Sequence, residues 1–245
     1  MFSLILQSTT FVLSKEQFGT VDLITTTVNM MLPIVTLSAF DAVFRFVLDK
    51  NGTENTVFFN GIFISFFGSL VGLVFIPILK FFNVPMPEYI YLLLVTGAFL
   101  SLMLNFSRSI QKVKTFAVAW ILGTIITAAF NVILLLIFNT GIKGYLLWII
   151  LANVIVLIFL TASTKAWTRI KIKNLNQKTM FSMVAYSLPL IPNAFSWWIN
   201  SSADRYFILA FVEASTNGIY AVASKIPTLL NIVNQIFFNH GKCLL

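Results

Sequence analysis

Residues 187–209, SLPLIPNAFSWWINSSADRYFIL, set two prolines, two asparagines, a tryptophan pair and an Asp-Arg dipeptide in an otherwise apolar stretch. Arg205 offers a planar guanidinium that matches two phosphate oxygens, and structural pairing at a membrane surface is its other use. Asp204 is its neighbour in sequence; adjacent residues point in different directions, so the two are not expected to pair with each other. Asn193 and Asn200 can hydrogen-bond sugar hydroxyls. Trp197 or Trp198 can stack on a pyranose face, although tryptophans also form belts at membrane interfaces. Elsewhere, Asp41 and Arg45 have the spacing of an i,i+4 ion pair, and a gate or a phosphate contact is open to them. Asp22, with Asn29 on the same segment, is a candidate for proton or cation coupling. Lys225 lies seven residues beyond Gly218, about 10 Å along a helix rising 1.5 Å per residue. An ionised amine at that depth costs about 2.5 to 3.5 kcal/mol. It either faces a water-filled cavity and draws in an anion, or snorkels to the surface.

No enzyme chemistry is expected. The only histidine, His240, and the only cysteine, Cys243, both lie in the last six residues, which leaves no disulfide framework, zinc site or Cys/His pair. No base, nucleophile or cofactor site is legible. The triplets at Asn51 and Asn200 fit the glycosylation pattern, but one falls in an expected cytoplasmic loop and the other at the membrane.

The elements that must position these groups follow from composition. The chain is 58% hydrophobic and 10% charged, with mean hydropathy +0.92. About 20 apolar residues cross a ~30 Å hydrocarbon core as a helix. Runs such as AAFNVILLLIF are apolar on every face, which excludes the alternating strands of a barrel. The reading is an all-α polytopic bundle with one short segment, 2–13, and seven full ones: 20–40, 57–79, 88–106, 115–138, 144–163, 180–201 and 216–238. Between them, Arg45, Lys50, Arg108, Lys112, Lys114, Lys165, Arg169, Lys171, Lys173, Lys178 and Lys242 fall on one side. Lys15, Lys80, Lys143 and Arg205 fall on the other. The first set marks the cytoplasmic face, so both termini are expected inside. The net charge of +8 is therefore a topology signal and not a nucleic-acid footprint, and the basic connector Lys165–Lys178 is expected to touch anionic lipids.

Prolines add a second pattern. Pro33, Pro189, Pro192 and Pro227 each remove a backbone hydrogen bond, so kinks are expected in the second, seventh and eighth segments. Freed carbonyls at bilayer depth need protein or cavity water to cover them, which points to helices lining a path. GTVDLITTTVNMMLPIV from Gly19 and GIYAVASKIPTLLNIV from Gly218 also read as a repeat with a six-helix period. Parallel repeats of this kind build transporters from two similar bundles.

LSKEQFGTVDL…FDAVFRF, YSLPLIPNAFSWWINSSADRYFI and ASTNGIYAVASKIPTLLNIVNQIFF resemble bacterial polysaccharide biosynthesis proteins. These are the O-antigen and capsule repeat-unit flippases of the multidrug/oligosaccharidyl-lipid/polysaccharide exporter superfamily. The resemblance implies two six-helix bundles around a central cavity in the bacterial inner membrane, and transfer of an undecaprenyl-pyrophosphate-linked glycan between leaflets. It also implies a polymerase and a chain-length regulator as further partners. Arg45, Arg205 and Lys225 would neutralise the pyrophosphate. On this pattern 1–163 is an N-terminal bundle with an incomplete first helix, 164–179 a basic cytoplasmic linker, and 180–245 the first two helices of a C-terminal bundle. The ending HGKCLL departs from the family's continuation as a single-base frameshift would, so a truncated, inactive form is expected. Rival readings are a small-molecule antiporter of the same superfamily, a membrane-embedded glycan enzyme, and a structural or pseudogene product.

Overall fold

Ser14 starts the first described helix by a reciprocal cap. Its hydroxyl accepts from the Gln17 amide at 3.2 Å, and its own amide donates to the Gln17 side chain at 3.2 Å. These bonds satisfy donors that the first turn otherwise leaves open. The computed structural model describes residues 14–49, 53–81, 84–137, 141–212 and 214–224. Among them every regular element is helical: α1 Lys15–Val35, α2 Ala39–Leu48, α3 Glu54–Gly72, α4 Phe75–Phe81, α5 Pro87–Ser109, α6 Val113–Ile137, α7 Gly141–Thr164, α8 Gln177–Ser187, α9 Leu190–Phe211 and α10 Ala214–Ala223, with two 3-10 turns between α7 and α8. The all-α bundle read from composition is the observed architecture.

Among the described residues, five spans are long and apolar enough to cross a membrane: Glu16–Val35, Glu54–Phe81, Pro87–Ser109, Val113–Phe130 and Gly141–Thr164. Their outer faces are apolar. Val118, Ile121 and Ile125 on α6, and Leu147, Leu151, Ile155 and Ile158 on α7, are all exposed at helical spacing. Water would penalise such stripes, whereas hydrocarbon solvates them. The segment expected at 180–201 is not one of the five. It is two helices, α8 and α9, and α9 carries Asn193, Asn200, Asp204 and Arg205. The connector expected after residue 202 is also absent, because α9 runs on to Phe211. The segment expected at 2–13 lies outside the described residues, and so does the eighth segment beyond Ser224.

The second expected segment breaks shortly after Pro33, which lies inside α1 two residues before its end at Val35. Leu37 donates to the Ile34 carbonyl at 3.2 Å and Ser38 to the Pro33 carbonyl at 2.9 Å. That pair of bonds closes α1 in a Schellman stop. Leu37 and Ser38 both sit at positive φ, 48° and 47°, a conformation costing a non-glycine residue about 1 to 2 kcal/mol. Tertiary contacts hold it there. α8 and α9 break opposite, at Leu188–Pro189, and Pro192 falls in the first turn of α9, where a missing amide hydrogen does no harm. The buried Ser187 hydroxyl is shared between its own Met183 carbonyl at 2.9 Å and the Ser38 carbonyl at 3.4 Å. The two interruptions thus face one another, and a side chain at one serves a backbone carbonyl at the other. Pro227 lies outside the described residues.

α5 is the hub, packing against α1, α2, α3, α6 and α7. Two apolar clusters stack along it. One joins Ala42, Val43, Phe58, Leu102, Phe106 and Leu160 at the cation-rich end. The other joins Ile24, Val35, Ile90, Leu94 and Leu146 towards the opposite end. α3 reaches the α1 break through Gly68, where an added Cβ would fall onto the Val35 carbonyl oxygen. Gly68→Ala therefore has to displace backbone, at about 1 to 3 kcal/mol for overpacking. Thermal unfolding in detergent should show a lowered midpoint for this variant. Gly97→Ala, whose Cβ would meet only the Leu32 side chain at 3.5 Å, should melt like the parent.

Candidate functional site

The charges that sequence reading left on separate segments meet at one place. Arg205 Nε on α9 lies 2.7 Å from Asp22 Oδ2 on α1, with side-chain exposures of 15% and 7%. Arg205 Nη1 also donates to the Thr26 hydroxyl at 3.3 Å and the Ser202 hydroxyl at 3.2 Å. One turn along, the Thr27 and Tyr206 hydroxyls share a hydrogen bond at 2.6 Å, and the Trp198 indole donates to the Thr26 carbonyl at 3.0 Å. Trp198, Ser202, Arg205 and Tyr206 recur at helical spacing, so a single face of α9 makes every one of these contacts. Tyr206 also packs edge-on against Trp198, with ring centroids 5.4 Å apart.

The ion pair opens onto a cavity of about 500 Å³ between α1, α5, α6, α7 and α9. Its polar lining comes from Asp22, Thr25, Asn29, Ser101, Asn153 and Arg205. Apolar groups, including Leu93, Leu104 and Trp120, make most of the rest. On α5 the lining runs from Leu93 to Leu104, about 16 Å of helix at 1.5 Å per residue. The hollow is thus largely apolar, with a few hydroxyls, amides and one balanced ion pair. The pair's charges attract strongly where the dielectric is low, and either one alone would be costly there.

Other predicted residues are placed elsewhere. Asn193, Trp197 and Asn200 lie on the exposed side of α9, and Trp197 is 67% exposed. They do not line the cavity, and it is Trp198, not Trp197, that turns inward. Asp204 shares their side of the helix and accepts a hydrogen bond from the Tyr220 hydroxyl at 2.7 Å. Arg45 does not pair with Asp41. It turns to Asp49, also four residues away, at 3.1 Å, and stacks 4.7 Å from the Tyr186 ring centroid. The reason is position: Asp49 caps the exposed end of α2, whereas Asp41 lies in its first turn and is partly buried. Lys225 lies outside the described residues.

Several contributors went unread in the sequence. Thr26, Thr27, Asn153 and Tyr206 look like incidental polar residues in apolar segments, and only the TTT run at 25–27 gave a local signal. The two glycines of the repeat, Gly19 and Gly218, are both buried. They lie on α1 and α10, which pack closely against each other. The Asn217 side chain donates to the Gly19 carbonyl at 3.2 Å, and Phe18 packs on Ala221.

Fold and site together define a polytopic helical membrane protein with a charge-bearing interior. The family model described as "Polysaccharide biosynthesis protein" matches residues 4–239. The chain belongs to the polysaccharide biosynthesis protein family. No curated protein and no solved structure matches it.

Removing one partner of a buried pair leaves a charge without compensation, a loss of about 3 to 5 kcal/mol. Asp22→Leu and Arg205→Met should each lower the unfolding midpoint in detergent strongly, and the double variant should recover most of the loss. Tyr206→Phe removes a single hydrogen bond and should cost about 1 kcal/mol in the same assay.

Proposed function

We propose that this chain is a carrier, not an enzyme, for an undecaprenyl-pyrophosphate-linked oligosaccharide destined for O-antigen or capsule. It passes that molecule from the cytoplasmic to the periplasmic leaflet of a bacterial inner membrane, with the cation-rich end of the bundle facing the cytoplasm. The observation that carries this reading is the buried Asp22–Arg205 pair at the wall of a mostly apolar cavity, in a chain of the polysaccharide biosynthesis family.

The chemistry is an exchange of partners. Arg205 is already desolvated and oriented by Asp22, Thr26 and Ser202, so a pyrophosphate entering the cavity meets a prepared fork of donors. Its oxygens compete with the Asp22 carboxylate for the guanidinium. Loosening that pair releases α9 from α1, because the Trp198 and Tyr206 contacts lie on the same face of the helix. Substrate binding is thereby coupled to separation of the two helices, the differential contact that alternating access requires.

One observation favours a second reading. Asp22 is only 6% exposed, and a buried carboxylate in the first bundle suits a cation-coupled antiporter of the same superfamily. Arg205 balances that charge in the present arrangement, which is why the anionic lipid carrier is preferred.

The test is complementation of a flippase-null strain by the full gene, reading surface polysaccharide and the level of protein in the membrane. Arg205→Ala should abolish the polysaccharide, and Arg205→Lys should restore little of it, since an ammonium lacks the fork. The charge reversal Asp22→Arg with Arg205→Asp should keep the protein in the membrane without restoring transport. Normal polysaccharide from Arg205→Ala would remove the proposal. Export of a small cationic dye that depends on Asp22, with polysaccharide unaffected, would favour the antiporter.

A further inference from the structure

We propose that the cation-rich end of the bundle holds a site for the phosphate of an anionic membrane lipid, separate from the Asp22–Arg205 cavity. The site lies where the start of α3, the α5–α6 turn and the connector after α7 converge, around a cavity of about 630 Å³. Lys112, Lys165 and Arg169 line it with Glu54 as the counter-charge. Three cations against one carboxylate leave two positive charges in excess.

Arg169 and Lys112 are each held by contacts that use only part of their donor capacity. Arg169 Nη1 donates to Glu54 Oε2 at 2.7 Å and to Asn55 Oδ1 at 3.0 Å. Its guanidinium stacks 5.3 Å from the Phe106 ring centroid. A guanidinium has five N–H donors in a fixed fork, so those on the other nitrogens are additional to these bonds. Lys112 Nζ donates to the Ser163 carbonyl at 2.7 Å, in the last turn of α7. An ammonium has three donors, and a cation at a helix C-terminus is favourably placed by the helix dipole. Lys165 stands at a positive φ of 52°. That left-handed turn, where the Thr168 hydroxyl bonds back to the Lys165 carbonyl at 2.8 Å, swings the chain around the mouth. Strained backbone of this kind persists where the surroundings over-determine it, and functional sites are common among such places.

A second feature names the source of the phosphate. The connector alongside the mouth exposes Trp167 at 56%, Ile170 at 48% and Leu175 at 36%, interleaved with Arg169, Lys171 and Lys173. Apolar groups among cations in a short surface segment belong in the headgroup layer, where indole and aliphatic groups enter the acyl boundary and amines meet phosphates. A ligand reaching this mouth therefore arrives in the plane of the membrane. At the opposite end, by contrast, Lys80 is balanced by Glu88 at 2.8 Å.

The phosphodiester of a leaflet lipid and the pyrophosphate of a lipid-linked sugar share this chemistry, and the experiment separates them. The purified chain in neutral detergent is titrated with phosphatidylglycerol, phosphatidylcholine, undecaprenyl pyrophosphate or inorganic phosphate while its melting temperature is followed. Phosphatidylglycerol should raise the midpoint and phosphatidylcholine should not. In Lys112→Gln/Lys165→Gln the half-maximal phosphatidylglycerol concentration should rise roughly 20- to 30-fold, whereas Lys80→Gln should leave it unchanged. Stabilisation by undecaprenyl pyrophosphate alone, lost in the same double variant, keeps the phosphate site and assigns it to substrate. An equal response to both phospholipids, an equal response to inorganic phosphate, or an unshifted double variant overturns the proposal. Should the double variant not fold, Lys165→Gln, on an exposed turn, carries the same reading with a shift of about fivefold.

Discussion

A carboxylate and a guanidinium facing each other away from water are the constraint around which this bundle is arranged. Neither Asp22 nor Arg205 tolerates burial alone, so α1 and α9 must lie side by side with these positions level. A second tie, from Ser187 at the end of α8 to the Ser38 carbonyl just before α2, lies at the other end, where α1 and α9 meet their breaks. Sixteen residues separate Asp22 from Ser38 and eighteen separate Ser187 from Arg205, about 24 and 27 Å of helix. Two fixed points at nearly equal spacing make the helices antiparallel neighbours. They also place both interruptions, after Pro33 and at Pro189, against each other, where the Ser187 hydroxyl reaches the Ser38 carbonyl.

The bilayer explains why polar groups elsewhere turn inward on their own helices. Thr27, Thr36, Ser69 and Thr164 each donate to the carbonyl four residues back, at 2.7 to 2.8 Å. Without water, a hydroxyl must find a partner inside the protein, and the preceding turn is the nearest one. Close approach does the rest. Gly68 lets α3 touch the α1 break, and Gly61 lets it pack on Val43. Lipid supplies little hydrophobic drive between helices, so such steric fit, together with the polar ties, determines which helices are neighbours.

The association of α1 with α10 gives the sequence repeat a physical meaning. Each helix presents a buried glycine near its start, and the Asn217 side chain of one caps the Gly19 carbonyl of the other. Next to it, α9 turns one face to α1 and leaves Asn193, Trp197 and Asn200 on the other.

By itself the sequence determined the environment and the element type. Long runs of Leu, Ile, Val and Phe can only satisfy their backbone in lipid as helices, and the cation bias between those runs orders the ends of the bundle. Pro33 and Pro189 marked the neighbourhood of both breaks, since a missing N–H is a local property: α1 ends two residues after Pro33 and α9 begins just after Pro189. Partnership was a different matter. Arg45 had acidic residues four positions away on both sides, and which of the two it met depended on the burial of Asp41 and the exposed cap at Asp49. Asp204 and Arg205 read as a loop because two charges interrupt an apolar run. They stand inside α9, where Asp22 of α1, 183 residues before Arg205, brings a carboxylate to neutralise Arg205. Only the tertiary structure decides such pairings, since the free energy of a buried charge is set by what lies a few ångströms away in space, and sequence distance carries no record of that.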